Sequence, residues 1–534
     1  MLAMDDRRDP VMAQPEQWPT KSALTRRRFL TLSASLLAVS ACGAPDAETS
    51  SGSVLQYGEG GEFTTFNPWS QTANEDSVAS QVFSRLVYKA MDGQTVGDLA
   101  ESWELSEDGM SIKLTLRPGV TWHDGRKLVA DDFVAMYGYL SDPNLQSDAG
   151  VQKIKELFAP VAAVKAPDPG TVVMEFSAPV PYALDLLDYW YALRFDDPSD
   201  TAFLKHRPVG TGPFKMTEFK AGQSATFQAF DGYFVKDQPG LDGFRYTIFA
   251  EGANLVNSLR SGGLDGVLIG NLANADALEG DSAYYLDRAP GGVWPLEVNT
   301  SKPPFDQVEV RQALSYSMNR EQFAKVADFG LEKPVTSPFY AEPATGYVPD
   351  LVNAQSFDLD QAKSLLDGAG VADLTITYPV PDSYPNLRVY GEIWQADLAK
   401  IGVNLEIQNV STARWGEIGS GEDKDTDVVP WLVARCLRDS AVFYAANSGY
   451  RPGKDHRFGY QNPTLEALIG KGATETDPDK RTQIYQQLNT MVVDECYNIS
   501  MVTASQTWGW SSNVSDPKVD LAGNLDLSEA TLST

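Results

Sequence analysis

The chain has 534 residues, 43% of them hydrophobic and 10% aromatic, and a formal net charge of −29. That length asks for two or three core-forming units, and that charge argues against nucleic acid as a partner. Three isolated histidines, His123, His206 and His456, offer no multi-histidine metal site and are expected as ordinary loop or surface residues.

Residues 1–28 are polar and broken by prolines. Arg26-Arg27, one variable residue and Phe29-Leu30 match a twin-arginine export signal. The apolar run from Phe29 to Ala41 is too short to span a bilayer and reads as a signal core. It ends in Val39-Ser40-Ala41-Cys42, the pattern of a lipobox. The expectation is therefore a signal peptide over 1–41, lipidation at Cys42 and a small, polar tether over 42–53. The mature protein would sit outside the cytoplasm, held by lipid on the outer face of the cytoplasmic membrane.

Val54 to Tyr57 reads as a first strand running into Gly58-Glu59-Gly60-Gly61, which lacks the lysine of a phosphate-binding loop. Ser77 to Tyr88 predicts a helix with Val78, Val82 and Leu86 on one face. Ser106-Glu107-Asp108-Gly109 is a turn, and Ile112, Leu114 and Leu116 then alternate as a half-buried strand. Val120 and Trp122 suggest a second short strand, and Asp131 an N-cap for a helix carrying Phe133, Met136, Tyr137 and Leu140. Thr171 to Phe176 and Trp294 to Asn299 read as strands. Two glycines and a proline in Val209-Gly210-Thr211-Gly212-Pro213-Phe214 mark a tight crossing of the chain. Helix starts are expected at Asp306, at Asn319 with Gln322, at Asp358 with Gln361 and at Asp477-Pro478. Gly370 and Gly402 close helices, and Val403, Leu405 and Ile407 alternate as a strand. Strands alternating with helices make this an α/β protein.

No nucleophile elbow, zinc-protease helix or paired-cysteine motif occurs. Trp122-His123-Asp124 puts an imidazole beside a carboxylate, but on one turn and without an oriented nucleophile. An extracytoplasmic hydrolase would need a nucleophile that the sequence does not advertise.

Three phrases carry a family resemblance. The first spans Leu99 to Phe133 and includes Leu99, Ala100, Ser102, Trp103, the Ser106–Gly109 turn, Leu116, Arg117, Gly119, Val120, Trp122, Asp124, Gly125 and Asp131. The second is Val209–Phe214, and the third runs from Asn299 through Pro303-Pro304-Phe305 to Arg320. Together they resemble the bacterial extracellular solute-binding proteins of family 5, the oligopeptide, dipeptide and nickel receptors of ABC importers. The resemblance implies a class II periplasmic-binding-protein-like fold, with two α/β lobes around a ligand cleft and an inserted smaller domain. Residues 54–83, 206–291 and 501–534 would form lobe I, 84–205 the insert and 292–500 lobe II. It also implies a monomeric receptor, not an enzyme, with no cofactor, that closes on a small ligand and delivers it to permease and ATPase subunits.

Within that family the ligand is expected to be a short peptide, with an oligosaccharide or a metal chelate as alternatives. The family's peptide receptors carry W-x-x-D-x-x-D-P, whose first Asp holds the peptide amine. The aligned stretch here is Val433-Ala434-Arg435-Cys436-Leu437-Arg438-Asp439-Ser440, with Cys436 at the amine-holding position and Asp439 at the second acidic one. Where dipeptide receptors place an arginine before a proline-rich loop, this chain reads Pro381-Asp382-Ser383-Tyr384-Pro385, with Arg388 further on. Asp439 is expected to receive a cationic or hydroxyl group, and Arg435 or Arg438 a carboxylate. Trp294 and Trp431 would flank the ligand, and Tyr57, Phe66 and Asn67 would reach it from the opposing lobe. Cys436 and Cys496, an even pair in an oxidising compartment, are either a disulfide or two free buried thiols.

Overall fold

The structure, a computed structural model, describes residues 53–60, 66–68, 73–141, 154–194, 208–249, 252–454 and 456–533. The expected signal peptide, Cys42, nearly all of the tether and His206 lie outside them.

One lobe is built on an eight-stranded mixed sheet. Its order is Val428–Pro430, Tyr284–Val298, Asn498–Ser511, Gly266–Leu268, Val54–Gly60, Gly243–Phe249, Ser224–Ala229 and Phe214–Lys220. Val54–Gly60 pairs in parallel with both of its neighbours, and the other pairings are antiparallel. Helix Ala73–Val82 stops well short of Tyr88. Val87–Lys89 instead pairs with Thr95–Gly97 around a turn in which Gly93 takes φ +80°. β-branched Val87, Thr95 and Val96 suit that hairpin better than a helix.

A four-stranded antiparallel sheet follows, ordered Ala100–Leu105, Ser111–Leu116, Thr171–Phe176 and Val161–Asp168. The Ser106–Gly109 turn closes on Gly109 at φ +68°, and Ile112, Leu114 and Leu116 are buried as their alternation predicts. Val120 and Trp122 form no strand, since a single bridge joins Thr121 to Lys127. The next helix is Ala130–Ser141. Asp132, not Asp131, ties its start, accepting from Val129 N (3.0 Å) and Trp122 Nε1 (3.3 Å).

The second lobe centres on a parallel pair, Thr375–Pro381 with Asn404–Val410, covered by helices Val308–Tyr316, Leu359–Gly368 and Pro385–Lys400. Its core includes fully buried Tyr378, Tyr390 and Trp394. Asp358 caps its helix through Gln361 N at 2.9 Å, and Asp477 caps Pro478–Glu495. Asp306 is no cap, because the helix starts two residues later behind Gln307. Asn319 accepts from Gln322 N as expected, but the turn passes at once into a π-helical stretch, Phe323–Ala327.

The expected strand Trp294–Asn299 is the end of a 15-residue strand, Tyr284–Val298. It runs antiparallel to the 14-residue Asn498–Ser511. These two strands join the lobes. Ala289, Val293, Trp508 and Trp510 lie in one core, and Trp294, Leu296, Val298, Ile499 and Met501 in the other. Register shifts at Ala289/Gly292 and Trp294/Pro295 fall at the changeover, where they loosen the ladder locally. Buried Glu332 clasps both strands, accepting from Arg288 Nη2 (2.6 Å), Thr503 Oγ1 (2.5 Å) and Ser505 N (3.0 Å). Among the described residues no helix is long and apolar enough to cross a membrane.

Candidate functional site

The loop Trp431–Asp439 lies against the changeover of the joining strands. Val433 exchanges backbone hydrogen bonds with Val293 at 2.9 and 3.0 Å, and Cys436 N donates to Gly291 O at 2.7 Å. This docking fixes the loop at the junction of the large sheet, the second core and the segment 182–191 beside the four-stranded sheet.

Three charged residues follow in the loop. Arg438, 1% exposed, ion-pairs with Asp188. Asp188 also pairs with Arg85 at 2.6 Å, and Arg85 pairs with Asp520 at 2.7 Å. Burial pulls the Arg85 pKa down, but the carboxylates of Asp520 and Asp188 outweigh it and hold the guanidinium well above its ordinary value. Burial likewise raises Asp520, and Arg85 and Arg438 reverse it. The chain therefore carries a buried run of alternating charge from four distant segments. Sequence reasoning missed it, because nothing local pairs residues 85, 188, 438 and 520.

Arg435 adopts φ +68°, the left-handed region that side chains with a Cβ rarely occupy. Its guanidinium lies 4.5 Å from the centroid of Tyr189. The side chain is half-buried.

Asp439 is paired within the chain. Arg481 Nη1 and Nη2 each donate to it at 2.5 Å. It also caps helix Ser440–Ala446 through Ala441 N at 2.8 Å and accepts from Thr345 Oγ1 at 3.3 Å. Burial acts against the Arg481 charge, but hydrogen bonding to Asp439 more than restores it. The expected cation for Asp439 is thus supplied by the chain itself.

The aromatic residues form a ladder. Trp294 meets Tyr384 edge-on at 5.0 Å, Tyr384 meets Trp415 at 5.4 Å, and Trp415 meets Trp431 at 4.2 Å. Trp431 is half-buried, with its ring against Gly419, where a Cβ would fall 1.7 Å from a ring carbon. Trp294 is 6% exposed. Trp294 and Trp431 are two ends of one wall, with Tyr384 and Trp415 between them.

Tyr57, Phe66 and Asn67 lie in the interior, each 1% exposed or less. Tyr57 donates to Glu59 at 2.7 Å and accepts from Trp508 Nε1 at 3.1 Å, while Tyr246 donates to Glu59 at 3.0 Å. Phe66 packs edge-on to Phe219 and Phe227. All three are enclosed in this form of the protein, with Tyr57 tied to Glu59 and Trp508 and Phe66 packed in the core. Alternation puts Tyr57 and Glu59 on the same, inward side of the strand.

The cysteines are two free buried thiols, Cys436 in one core and Cys496 in the other, so the disulfide alternative is set aside. Burial pushes both thiols up, Cys496 to about 11.

His123 holds backbone. Gly210 N donates to Nδ1 at 3.3 Å and Nε2 faces Gly212 O at 3.0 Å. Burial lowers its pKa to about 4. The two glycines press on the preceding helix, since a Cβ on Gly210 would sit 1.8 Å from Val82 O. His456 lies in a loop as expected, but is buried there, with Nε2 2.9 Å from Gly449 O. Among the described residues no group of three potential metal ligands occurs.

The family model for bacterial extracellular solute-binding proteins, family 5 Middle, matches residues 94–453. The chain is 28% identical over 510 residues to the dipeptide-binding protein of Escherichia coli (strain K12), covering 89% of this chain and 92% of that one. Its fold is similar to that of a dipeptide-binding protein from Pseudoalteromonas sp. SM9913 in complex with Met-Leu (TM-score 0.78, 22% identity, 90% of this chain and 100% of that one). It is also similar to the binding protein MoaA of A. tumefacien R10 in complex with mannopinic acid (TM-score 0.75, 25% identity, 91% and 100%).

Proposed function

Because this chain belongs to the bacterial extracellular solute-binding proteins of family 5, we propose that it is the receptor of an ABC importer that captures short peptides and passes them unchanged to a permease. The similarity to the E. coli dipeptide-binding protein along nearly the full length of both chains carries this reading. The joining strands supply its mechanics. Two cores connected through a locally loosened ladder favour hinge closure on a ligand held between them. The loop Trp431–Asp439 sits at that hinge, and Arg435 and Trp431 are its proposed ligand contacts, with Trp294 and Tyr384 as the wall behind. The receptor works as a monomer, with lobe boundaries near residues 84, 206, 292 and 501, and performs no catalysis.

Export by the twin-arginine signal and lipidation at Cys42 would keep the receptor beside its permease. A Cys42→Ala variant is expected in the soluble extracytoplasmic fraction. If it stays membrane-bound and uncleaved, the lipid anchor is wrong.

Native mass spectrometry of the purified receptor, followed by calorimetric titration, tests the ligand. Peptides are expected to co-purify and rebind. A retained oligosaccharide, opine-type acid or metal chelate would replace the peptide while leaving the receptor. Conversion of the bound molecule to a product would overturn the receptor.

A further inference from the structure

A third stretch of chain crosses between the cores beside the two joining strands. The π-helical turn Phe323–Ala327 belongs to the second core through Phe323, Ala324 and Ala327. Four residues on, Leu331 packs against the cluster of Leu255, Leu264 and Val267 on the large sheet. Phe329 and Gly330, at φ +56° and +77°, turn the chain sharply between the two. The chain then fastens to the strand Asn498–Ser511. Lys333 N donates to Thr503 Oγ1 at 2.9 Å, Thr503 N to Lys333 O at 2.9 Å, and Val335 N to Met501 O at 3.1 Å. Residues 328–335 thus form a strap tied to both cores and to a strand that joins them.

The strap carries two buried carboxylates, Asp328 and Glu332, and one cation faces them. Arg288, from strand Tyr284–Val298, donates through Nη2 to Glu332 at 2.6 Å and through Nη1 to Leu331 O. Asp328 receives only neutral donors, Tyr390 OH at 2.6 Å and Asn386 Nδ2 at 3.3 Å, both from helix Pro385–Lys400. Strand Asn498–Ser511 has no charged residue and offers Glu332 only Thr503 and Ser505. Arg320, before the strap, is engaged by Ser315, Gln355 and Ser500, while Lys325 and Lys333 are exposed. Tyr340, also near Glu332, is kept protonated by burial.

With both acids ionised, the strap holds two negative charges against one positive charge, and burial makes the excess costly. Glu332 has Arg288 in contact to keep its charge, so Asp328 is the acid that takes a proton. Burial, with the charge of Glu332 added, pushes Asp328 up to about 7 from the ordinary 3.8. Ionised Asp328 is relieved by water, and the strap must lift from helix Pro385–Lys400 to admit it.

We propose that the strap 328–335 is a proton-operated brake on lobe opening: protonated Asp328 keeps the lobes together, and its ionisation loosens the strap and favours the open form. This rests on the hinged-receptor reading above and adds control by the acidity outside the cell. Closing takes up a proton near neutral pH, so closure is supported below pH 7 and loses that support as pH rises through it.

Small-angle X-ray scattering of the purified, unliganded receptor from pH 5.5 to 8.5 tests this, with trialanine added at pH 8 as a second arm. The radius of gyration is expected to rise through one transition centred near pH 7. Asp328→Asn cannot ionise and is expected to lose the transition, keeping the small radius to pH 8.5. Tyr390→Phe removes a donor that favours the ionised acid and should raise the midpoint by about one pH unit. That shift decides the matter if Asp328→Asn does not fold, since a merely structural role would move no midpoint. A transition that survives in Asp328→Asn belongs to another acid, such as Asp98, which burial raises to about 6, and overturns the proposal. An unmoved midpoint in Tyr390→Phe overturns it as well. If trialanine compacts the receptor at pH 8 and pH alone does not, the hinge stands and the proposal falls. If neither changes the radius, the hinge falls and the proposal with it. If pH moves the radius as expected and trialanine does not bind, the proposal stands and trialanine is not the ligand.

Discussion

Asp439 shows how much a single partner changes the meaning of a residue. In sequence it is an acid in a loop that resembles a peptide-binding stretch. In the structure Arg481 takes both of its oxygens at 2.5 Å. Removing one member of a buried pair leaves the other uncompensated, at a cost of about 3–5 kcal/mol. Asp439→Asn should therefore lower unfolding stability by that order in urea titration, and unaltered stability would show the pair to be dispensable. His123 makes a pH prediction. Its folded pKa is about 4, below the ordinary 6.5 of the unfolded chain. Between those values the unfolded chain binds a proton that the folded one refuses, so stability is intact above pH 6.5 and falls by about 3 kcal/mol as pH drops toward 4. His123→Gln should flatten that acid limb in urea titrations between pH 4 and 7. Asp328 acts with the opposite sign. Burial pushes it up to about 7, so its protonation adds stability as pH falls below that value.

At the scale of elements, the glycine-proline crossing at 209–214 is where a short motif and a tertiary contact coincide. Gly212 N donates to Val82 O at 2.9 Å, and His123 binds the same crossing from the other side. A methyl group at Gly210 would meet the Val82 carbonyl oxygen at 1.8 Å, and backbone cannot yield as a flexible side chain does. Gly210→Ala is expected to cost about 2–3 kcal/mol, read as a lowered melting temperature. A variant that melts with the wild type would mean that the crossing has slack. The helix reading of Val87–Tyr88 failed at this scale for a physical reason. Its apolar spacing fits either period over so short a run, and pairing with Thr95–Gly97 decides the outcome.

Across the whole molecule, the two long joining strands let one sheet serve both cores, and the Arg438–Asp188–Arg85–Asp520 run holds the loop 431–439 down on the first of them. Arg438→Met removes one tie between the loop and the helix Ala183–Leu187 region, leaving Asp188 to Arg85. The variant is expected to populate a more open form, with a larger radius of gyration by small-angle X-ray scattering and weaker ligand binding. An unchanged radius and affinity would show that this tie takes no part in closure. Ligand addition to the wild type should reduce the radius, since a ligand stabilises the form that encloses it.

What the sequence determined by itself was whatever is local or repeated as a phrase. The turn at Ser106–Gly109, the cap at Asp358 and the helix start at Asp477-Pro478 follow from backbone preferences acting within a few residues. The three family phrases carried the fold class and the receptor reading, because their glycines, prolines and aromatics meet constraints of this particular architecture. Tertiary structure alone decided what each candidate residue touches. It turned Tyr57 inward onto Glu59, gave Asp439 to Arg481, set Cys436 and Cys496 in separate cores and left Arg435 half-buried beside Tyr189. Charge pairing and burial join residues hundreds of positions apart, as between Arg85 and Asp520, and no period or motif along the chain records such a partner.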